Sequence, residues 1–112
     1  MRGLQLRQLL LMLRAVVPSN RFYTAKFAAA RVDPRRIHSL DDLARLPFTA
    51  KQELLDDQAG EPPYGTNLTF ALDRYIRMHQ SSGTASVPLR WLDTPESWDW
   101  FLGCWQTIYD VI

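Results

Sequence analysis

The sequence has little cysteine, no long hydrophobic run and almost no net charge. Its single cysteine, Cys104, excludes a disulfide within the chain and a cysteine-rich zinc site. The longest apolar run, residues 9–13, lies between Arg7 and Arg14, whereas a membrane-spanning helix needs about 20 apolar residues. A net charge of +1 does not require a polyanionic partner. We therefore expect neither nucleic acid nor a membrane among the partners.

Acidic residues are absent from the first 32 positions, which hold six bases, whereas residues 33–112 hold seven bases and all twelve acids. Such a basic segment is typical of an interaction arm, an Arg-rich targeting segment or a solvated helix face. A secretory signal fits poorly, because Arg14 and Pro18 occupy the place of a small-residue cleavage site. At 46% hydrophobic and 22% charged, the 112 residues fit one ordinary domain or part of a larger one.

Helical spacing of apolar residues dominates the first half of the chain. It predicts a helix over residues 4–17 that ends at Pro18, followed by a helix capped by Ser19 or Asn20. Asp33 and Pro34 predict a turn. Two capping boxes, Ser39 with Asp42 and Thr49 with Gln52, predict two further short helices. The composition of residues 58–67 predicts a loop.

After residue 67 the spacing of apolar residues changes from the helical period to the alternation that is typical of an extended chain. Residues 68–72, 74–80 and 87–92 are predicted as extended segments, with a small-residue loop at 81–86. Thr94, Pro95 and Glu96 predict the start of a last helix. Its broad apolar face reaches Ile112 without the usual closing residues, so we expect a larger protein, in which a missing C-terminal portion or an oligomer partner covers this face.

The loop at 81–86 is the strongest candidate for chemistry. Backbone N–H groups in a turn rich in Gly and hydroxyl residues can converge on phosphate oxygens, and glycine permits close approach. Composition alone favours a plain turn over a phosphate-binding loop. The loop lacks the Lys and the outer Gly of a Walker motif.

The run Arg-Met-His-Gln-Ser-Ser-Gly-Thr at residues 77–84 resembles the start of the phosphate-binding loop of the AMP-forming adenylating enzymes. It is most similar to the phenylacetate–CoA ligase-like branch, which reads Arg-x-His-x-Ser-Ser-Gly-Thr-Thr-Gly-Lys-Pro. Residues 20–27 resemble the Asn/Pro-x-Phe-Tyr-x-x-Lys-Phe/Leu element of that branch. Residues 39–51 resemble its Ser-Leu-x-Asp-Leu-x-x-Leu-Pro-x-Thr-x-Lys element.

The resemblance implies an α+β, or incomplete α/β, segment of the large N-terminal domain of such an enzyme. Within the segment 1–112 it implies a helical cap at 1–57, strands with the phosphate-loop-like turn at 68–92, and a helix at 94–112. The implied activity is that of a cytoplasmic CoA ligase, which activates a carboxylic acid with ATP and Mg²⁺ and transfers the acyl group to CoA. This chain alone should be inactive, and no catalytic residue can be assigned in it.

The resemblance also implies the residues that hold ATP. They are Ser81, Ser82, Gly83, Thr84 and Ser86, with Thr84 also touching Mg²⁺ through ATP. Three positions depart from the family: Ala85 replaces its second Thr, Ser86 its second Gly, and Val87 its Lys. The first and last changes remove a hydroxyl and a cation that could meet phosphate. We therefore hypothesise a relaxed adenylation loop, and the alternative is a non-catalytic interaction module or a degenerate remnant of the family.

Other polar and aromatic residues have structural explanations. Cys104 is expected to be a buried, small apolar residue on a helix, and His38 a loop residue. His79 is expected to be structural, with contact to a nucleotide or acyl group as the alternative. The acid pairs at 41–42 and 56–57 suit helix ends and solvent more than acid–base chemistry. The four tryptophans lack interleaved bases, so packing is favoured over stacking on nucleic-acid bases.

Overall fold

The protein is described by a computed structural model that covers residues 1–81 and 87–112. The chain forms two compact units, Met1–Thr69 (the N-terminal unit) and Phe70–Ile112 (the C-terminal unit). The described elements of the N-terminal unit are α1 (Arg2–Val16), α2 (Arg21–Ala29), the 3₁₀ turns Pro34–Arg36 and Leu40–Arg45, and α3 (Lys51–Gly60). Those of the C-terminal unit are a 3₁₀ turn (Leu72–Arg74), β1 (Arg77–Gln80), β2 (Arg90–Asp93) and α4 (Pro95–Val111). The predicted mixture of helices with a few strands is confirmed.

The core of the N-terminal unit forms where α1, α2 and the first 3₁₀ turn meet. Leu13, Phe27 and Ile37 are its buried side chains. Pro18 follows the end of α1, as predicted, because proline cannot continue the helical hydrogen bonds. Burial of three large apolar side chains from three segments holds these segments together.

Asn20 begins α2 and is almost completely buried. Its side-chain oxygen accepts a hydrogen bond from the Tyr23 backbone N–H at 3.0 Å. Its side-chain nitrogen donates to Asn67 Oδ1 at 2.9 Å and to Thr69 Oγ1 at 3.2 Å. The predicted cap therefore also attaches the end of the N-terminal unit to the start of α2.

Carboxylate side chains cap the N-terminal ends of the next two helical segments. Asp42 Oδ2 accepts from the backbone N–H groups of His38 and Ser39, and these two bonds lower the pKa of Asp42. The pairing of Ser39 with Asp42 was predicted, although the segment is a 3₁₀ turn. The predicted box of Thr49 with Gln52 is wrong by one residue.

The actual cap of α3 pairs Ala50 with Glu53. Glu53 Oε2 accepts from Ala50 N–H at 2.7 Å, and this bond, followed by the hydrogen bond from Lys26, lowers the pKa of Glu53. A charged carboxylate is a stronger acceptor than the amide of Gln52. The helix continues to Gly60, so the predicted loop over 58–67 begins three residues too early.

Gly65 turns the chain after α3 with a φ of +74°, a region that glycine adopts without steric strain. A Cβ atom there would also collide with the Asp57 carboxylate. That carboxylate is occupied, because Asp57 Oδ2 accepts from Thr66 N–H at 2.7 Å.

We expect Gly65→Ala to lower the free energy of unfolding by about 1–3 kcal/mol, because it adds left-handed strain and displaces Asp57. Gly60→Ala is the matched control: Gly60 is the last residue of α3, and a Cβ there meets nothing within 4 Å. The control is expected to be neutral or slightly stabilising. Urea denaturation of both variants measures the difference, and equal stabilities would contradict the assignment.

The described part of the chain contains less strand than the sequence predicts. Residues 68–72 form no strand, and a 3₁₀ turn begins at Leu72. The segments predicted at 74–80 and 87–92 correspond to the shorter strands β1 and β2, and β2 ends one residue later than predicted, at Asp93. The strands pair antiparallel, with Arg77 opposite Asp93 and Gln80 opposite Arg90. An alternating pattern marks an extended segment, but only residues with a bonded partner form a ladder.

Helix α4 begins as predicted and exposes its apolar residues. Thr94 caps the helix by accepting from Ser97 N–H at 3.2 Å, and Pro95 is the first helical residue. No residue of α4 is buried in the structure, and Trp105 and Tyr109 are 43% and 66% exposed. Their rings continue a row of aromatic contacts along the helix, which links Trp98, Phe101, Trp105 and Tyr109. Within the described ranges, no helix has both the length and the apolarity to cross a bilayer.

Candidate functional site

The β1–β2 ladder carries the loop that the sequence singles out. Residue 81 follows β1 directly, and Leu89 precedes β2. Ser81 N–H donates to the Leu89 carbonyl at 2.9 Å, and Leu89 N–H donates to Ser81 Oγ at 2.9 Å. Leu89 is buried, so these bonds fix the loop ends against an apolar anchor. The loop therefore leaves the ladder and returns to it at a defined point.

The Ser81 hydroxyl can also act as a hydrogen-bond donor to a ligand. Its oxygen accepts from the Leu89 N–H, and a hydroxyl that accepts one bond can still donate its own proton to a further acceptor. A hydroxyl held by the backbone loses little conformational entropy when it donates to an anion. The structure thus places one predicted binding residue at the mouth of the loop and fixes its orientation.

The other predicted binding residues lie outside the described residues. They are Ser82, Gly83, Thr84 and Ser86, together with the Mg²⁺ contact expected of Thr84 and the altered position Ala85. Val87, where the family has lysine, is described and is 67% exposed. A longer cationic side chain at this position could extend into solvent beside the loop.

Arg77 and His79 both contact the indole ring of Trp98. They are two residues apart on β1 and therefore share a face of the strand. The Arg77 guanidinium lies 4.3 Å from the centroid of the Trp98 ring. The His79 ring stacks on Trp98 with centroids 5.2 Å apart and planes inclined by 25°. These contacts attach β1 to the first turn of α4.

Asp93 lies at the other side of this cluster. Its Oδ2 is 3.3 Å from His79 Nε2, a buried nitrogen, without the alignment of a hydrogen bond. Its Oδ1 accepts from the Ser97 hydroxyl at 2.8 Å. Asp93 therefore lies beside the His79 imidazole and binds the Ser97 hydroxyl at the start of α4. The expected structural role of His79 agrees with this packing, and its nucleotide contact stays a prediction.

The start of α4 adds a local positive potential. The pKa of Glu96 is lowered, first by its own backbone N–H and then by the Thr94 hydroxyl. Unpaired N–H groups and the helix dipole favour negative charge at this end. Glu96 already supplies that charge, so a side chain of the protein itself balances the positive potential at the start of α4.

The cluster of Arg77, Trp98 and His79 was not predicted from the sequence. The alternation of residues 74–80 placed Arg77 and His79 on one face, and Thr94 fixed where Trp98 falls on α4. No sequence pattern indicated that this face and this indole meet. His38 lies between the two 3₁₀ turns, as the loop expectation required.

The described His, Cys, Asp and Glu side chains do not form a metal site. Over residues 1–81 and 87–112, no three His, Cys, Asp or Glu side chains are arranged to hold a metal ion. Cys104 lies on α4, as expected, but its thiol is half-buried and not buried as the sequence suggested. The described residues therefore provide no metal position of their own.

Known proteins resemble this chain in both sequence and fold. A phenylacetate-coenzyme A ligase from Aromatoleum evansii is 39% identical over 90 residues, which are 79% of this chain and 19% of that protein. The enzyme of the same name from Escherichia coli K12 is 33% identical over 88 residues, with the same coverage. That from Thermus thermophilus is 37% identical over 90 residues. No protein-family profile matches the chain.

Solved structures agree with these relatives. A 2-hydroxyisobutyryl-CoA ligase, in complex with 2-HIB-AMP and CoA in the thioesterification state, superposes with a TM-score of 0.79 and 26% identity. The match covers 87% of this chain and 20% of that one. An open conformation of the same ligase gives a TM-score of 0.78 at 24% identity, which shows the fold. The chain thus spans about a fifth of the length of the relatives it matches.

Proposed function

Since the chain belongs to the phenylacetate–CoA ligase-like branch of the AMP-forming adenylating enzymes and spans about a fifth of their length, we propose that it supplies the phosphate-binding loop of a carboxylate–CoA ligase. In such an enzyme a carboxylate oxygen attacks the α-phosphorus of ATP, and pyrophosphate leaves. The thiol of CoA then attacks the acyl carbon, and AMP leaves. Both steps need the remaining four fifths of the enzyme, so this chain alone is expected to be inactive. A cytoplasmic location is part of the proposal, since ATP and CoA are its co-substrates.

The observation that carries the proposal is the double hydrogen bond between Ser81 and Leu89. It closes a loop whose sequence begins Ser-Ser-Gly-Thr, and the Ser81 hydroxyl can donate its proton to a phosphate oxygen. Donors placed before the ligand arrives need no reorganisation when charge develops, which is the larger part of catalysis in phosphoryl and nucleotidyl transfer. We assign the same role to Ser82, Thr84 and Ser86, with Gly83 allowing close approach.

Mg²⁺ enters the proposal only as the companion of ATP. Bound to the phosphates, it would neutralise part of their negative charge. The described residues hold no carboxylate cluster for it, so the proposed contact is limited to Thr84. No step of the proposed reaction is assigned to a metal ligand of this chain.

The proposal predicts that Val87→Lys tightens binding of Mg·ATP about two- to fivefold. The substitution restores the cation of the related loops at an exposed position. An exposed charge contact contributes up to about 1 kcal/mol, which corresponds to this range. Titration of the isotope-labelled chain with Mg·ATP, followed by NMR chemical shifts of Ser81 and Leu89, measures the dissociation constant.

Val111→Lys is the matched control, because it adds the same charge at an exposed valine on α4. It should leave the affinity unchanged. Gly83→Val should remove binding from the Val87→Lys chain. Equal affinities of the two lysine variants, or no saturable binding in either, would contradict the proposal.

The second candidate function is an interaction module or remnant that has lost nucleotide binding. The observation that favours it is the exposed apolar face of α4, since exposed patches of this kind mark contact surfaces. In that case neither wild type nor Val87→Lys binds Mg·ATP. The same titration therefore separates the two functions.

A further inference from the structure

The imidazole of His79 has a buried nitrogen without a hydrogen bond. Among the described residues its Nε2 has no hydrogen-bond partner, although it lies 3.3 Å from Asp93 Oδ2. The two atoms are close enough to bond, so the orientation of the groups is what prevents the bond. A buried polar atom without a partner destabilises the fold, and protonation of an imidazole makes both ring nitrogens donors. This contact should therefore depend on the charge of His79.

Contacts at the start of α4 hold both partners in place. The His79 ring stacks on Trp98 with centroids 5.2 Å apart. Asp93 Oδ1 accepts from the Ser97 hydroxyl at 2.8 Å. The Ser97 oxygen in turn accepts from the backbone N–H of Thr94 at 2.9 Å, and Thr94 is buried. Because these contacts already order the two side chains, a bond between them costs little further conformational entropy.

Charged groups lie on every segment around the ring: Arg77 on β1, Asp93 on β2, and Glu96 and Asp99 on either side of Trp98 in α4. Residues 82–86 add no charge. Among the described residues, Asp93 is the one acid within ion-pair distance of His79. A positive imidazole would gain this opposite charge at 3.3 Å, whereas the Arg77 guanidinium, which lies on the same indole, is the like charge that limits the gain.

Strand β1 connects this contact to the base of the loop. His79 and Ser81 are two residues apart, so they lie on the same face of the extended chain. The Ser81 N–H donates to the Leu89 carbonyl at 2.9 Å, and the Ser81 hydroxyl accepts from the Leu89 N–H at 2.9 Å. A movement of His79 toward Asp93 therefore acts on the end of β1 at which these two bonds form.

We propose that the His79–Asp93 contact is a pH-dependent link between β1 and the start of α4, and that it sets the position of Ser81. A hydrogen bond between charged groups is about twice as strong as one between neutral groups. The link is strongest in mild acid, where histidines are protonated and aspartates are ionised, and it weakens as the pH rises through the range in which histidines lose their proton.

The link itself needs no nucleotide, whereas its effect on phosphate binding by Ser81 rests on the proposed function. A test without ATP therefore distinguishes the failure of the link from the failure of the proposed function.

A double-mutant cycle at two pH values tests the link in the 112-residue chain. Asp93→Asn removes the charge and keeps an acceptor for Ser97, and His79→Gln keeps a polar side chain that does not titrate. Urea unfolding is followed by the amide NMR signals of β2. We expect the two substitutions to be coupled about fivefold or more in the unfolding equilibrium constant at pH 5.5, and less than about twofold at pH 8.5. Equal coupling at both pH values would overturn the proposal.

The chemical shift of the Ser81 amide is a second measurement, which does not depend on unfolding. Between pH 8.5 and pH 5.5 it should move in wild type, move by about half as much or less in Asp93→Asn, and stay constant in His79→Gln. His38→Gln is the matched control, because His38 is the other histidine of the chain and is exposed in the N-terminal unit. It should keep the wild-type movement. Movement that persists in His79→Gln, is undiminished in Asp93→Asn, or is lost in His38→Gln would overturn the proposal.

Discussion

Replacing Phe27 by Ala is expected to lower the free energy of unfolding by about 3–5 kcal/mol. Phe27 is 6% exposed and lies in the core cluster with Leu13 and Ile37. The substitution removes the buried ring and leaves a cavity that the two helices cannot close without losing other contacts. Because a unit of this size has a small stability reserve, much of the N-terminal unit should unfold at room temperature.

Urea denaturation followed by circular dichroism measures this loss. Phe48→Ala is the matched control, since the same side chain is removed from a position that is 96% exposed. Its free energy of unfolding should change by less than about 0.5 kcal/mol. If the two variants lose similar stability, Phe27 does not hold the core that the structure assigns to it.

Replacing Asn20 by Ala is expected to cost about 2–4 kcal/mol. The loss of the α2 cap contributes about 1 kcal/mol. The remainder comes from Asn67, whose side-chain oxygen loses the donor at 2.9 Å in a partly buried setting. The effect should therefore exceed that of an ordinary exposed helix cap.

Asn20→Ser separates the two contributions. Serine keeps an acceptor for the Tyr23 N–H, but its short side chain lacks the amide that donates to both Asn67 and Thr69. Its stability should fall between those of wild type and Asn20→Ala. An Asn20→Ala loss of only about 1 kcal/mol, the size of an ordinary cap, with no loss in Asn20→Ser, would reduce Asn20 to a simple cap.

The helices could be predicted from sequence because their signals are local. Pro18 and Asn20 separate α1 from α2 by chemistry that needs no distant contact. The error at α3 was also local, since Glu53 competes with Gln52 and provides a charged acceptor one residue later. Capping boxes thus predict that a helix starts nearby more reliably than the residue at which it starts.

The strands and the site depended on contacts between distant residues. Extended segments were predicted in the right order, but their lengths follow from which residues pair, and only four residues in each strand do. The loop was predicted from its glycine and its hydroxyl residues. The hydrogen bonds between Ser81 and Leu89 were not predicted, because the sequence does not distinguish a serine that bonds across a loop from one that faces solvent. The contact of Arg77 and His79 with Trp98 likewise needs β1 and α4 to meet.

The uneven distribution of aromatic rings makes the two units optically distinct. All four tryptophans lie in the C-terminal unit, whereas the N-terminal unit contains only tyrosine and phenylalanine rings. Indole emission therefore reports on residues 70–112, while the circular dichroism of the helices reports on both units. On α4 the Tyr109 ring lies 5.9 Å from Trp105, close enough for the tyrosine to pass its excitation energy to the indole. Since Trp98, Trp100 and Trp105 lie on α4, a change in indole emission would report on the unwinding of α4 without a contribution from the rings of the N-terminal unit.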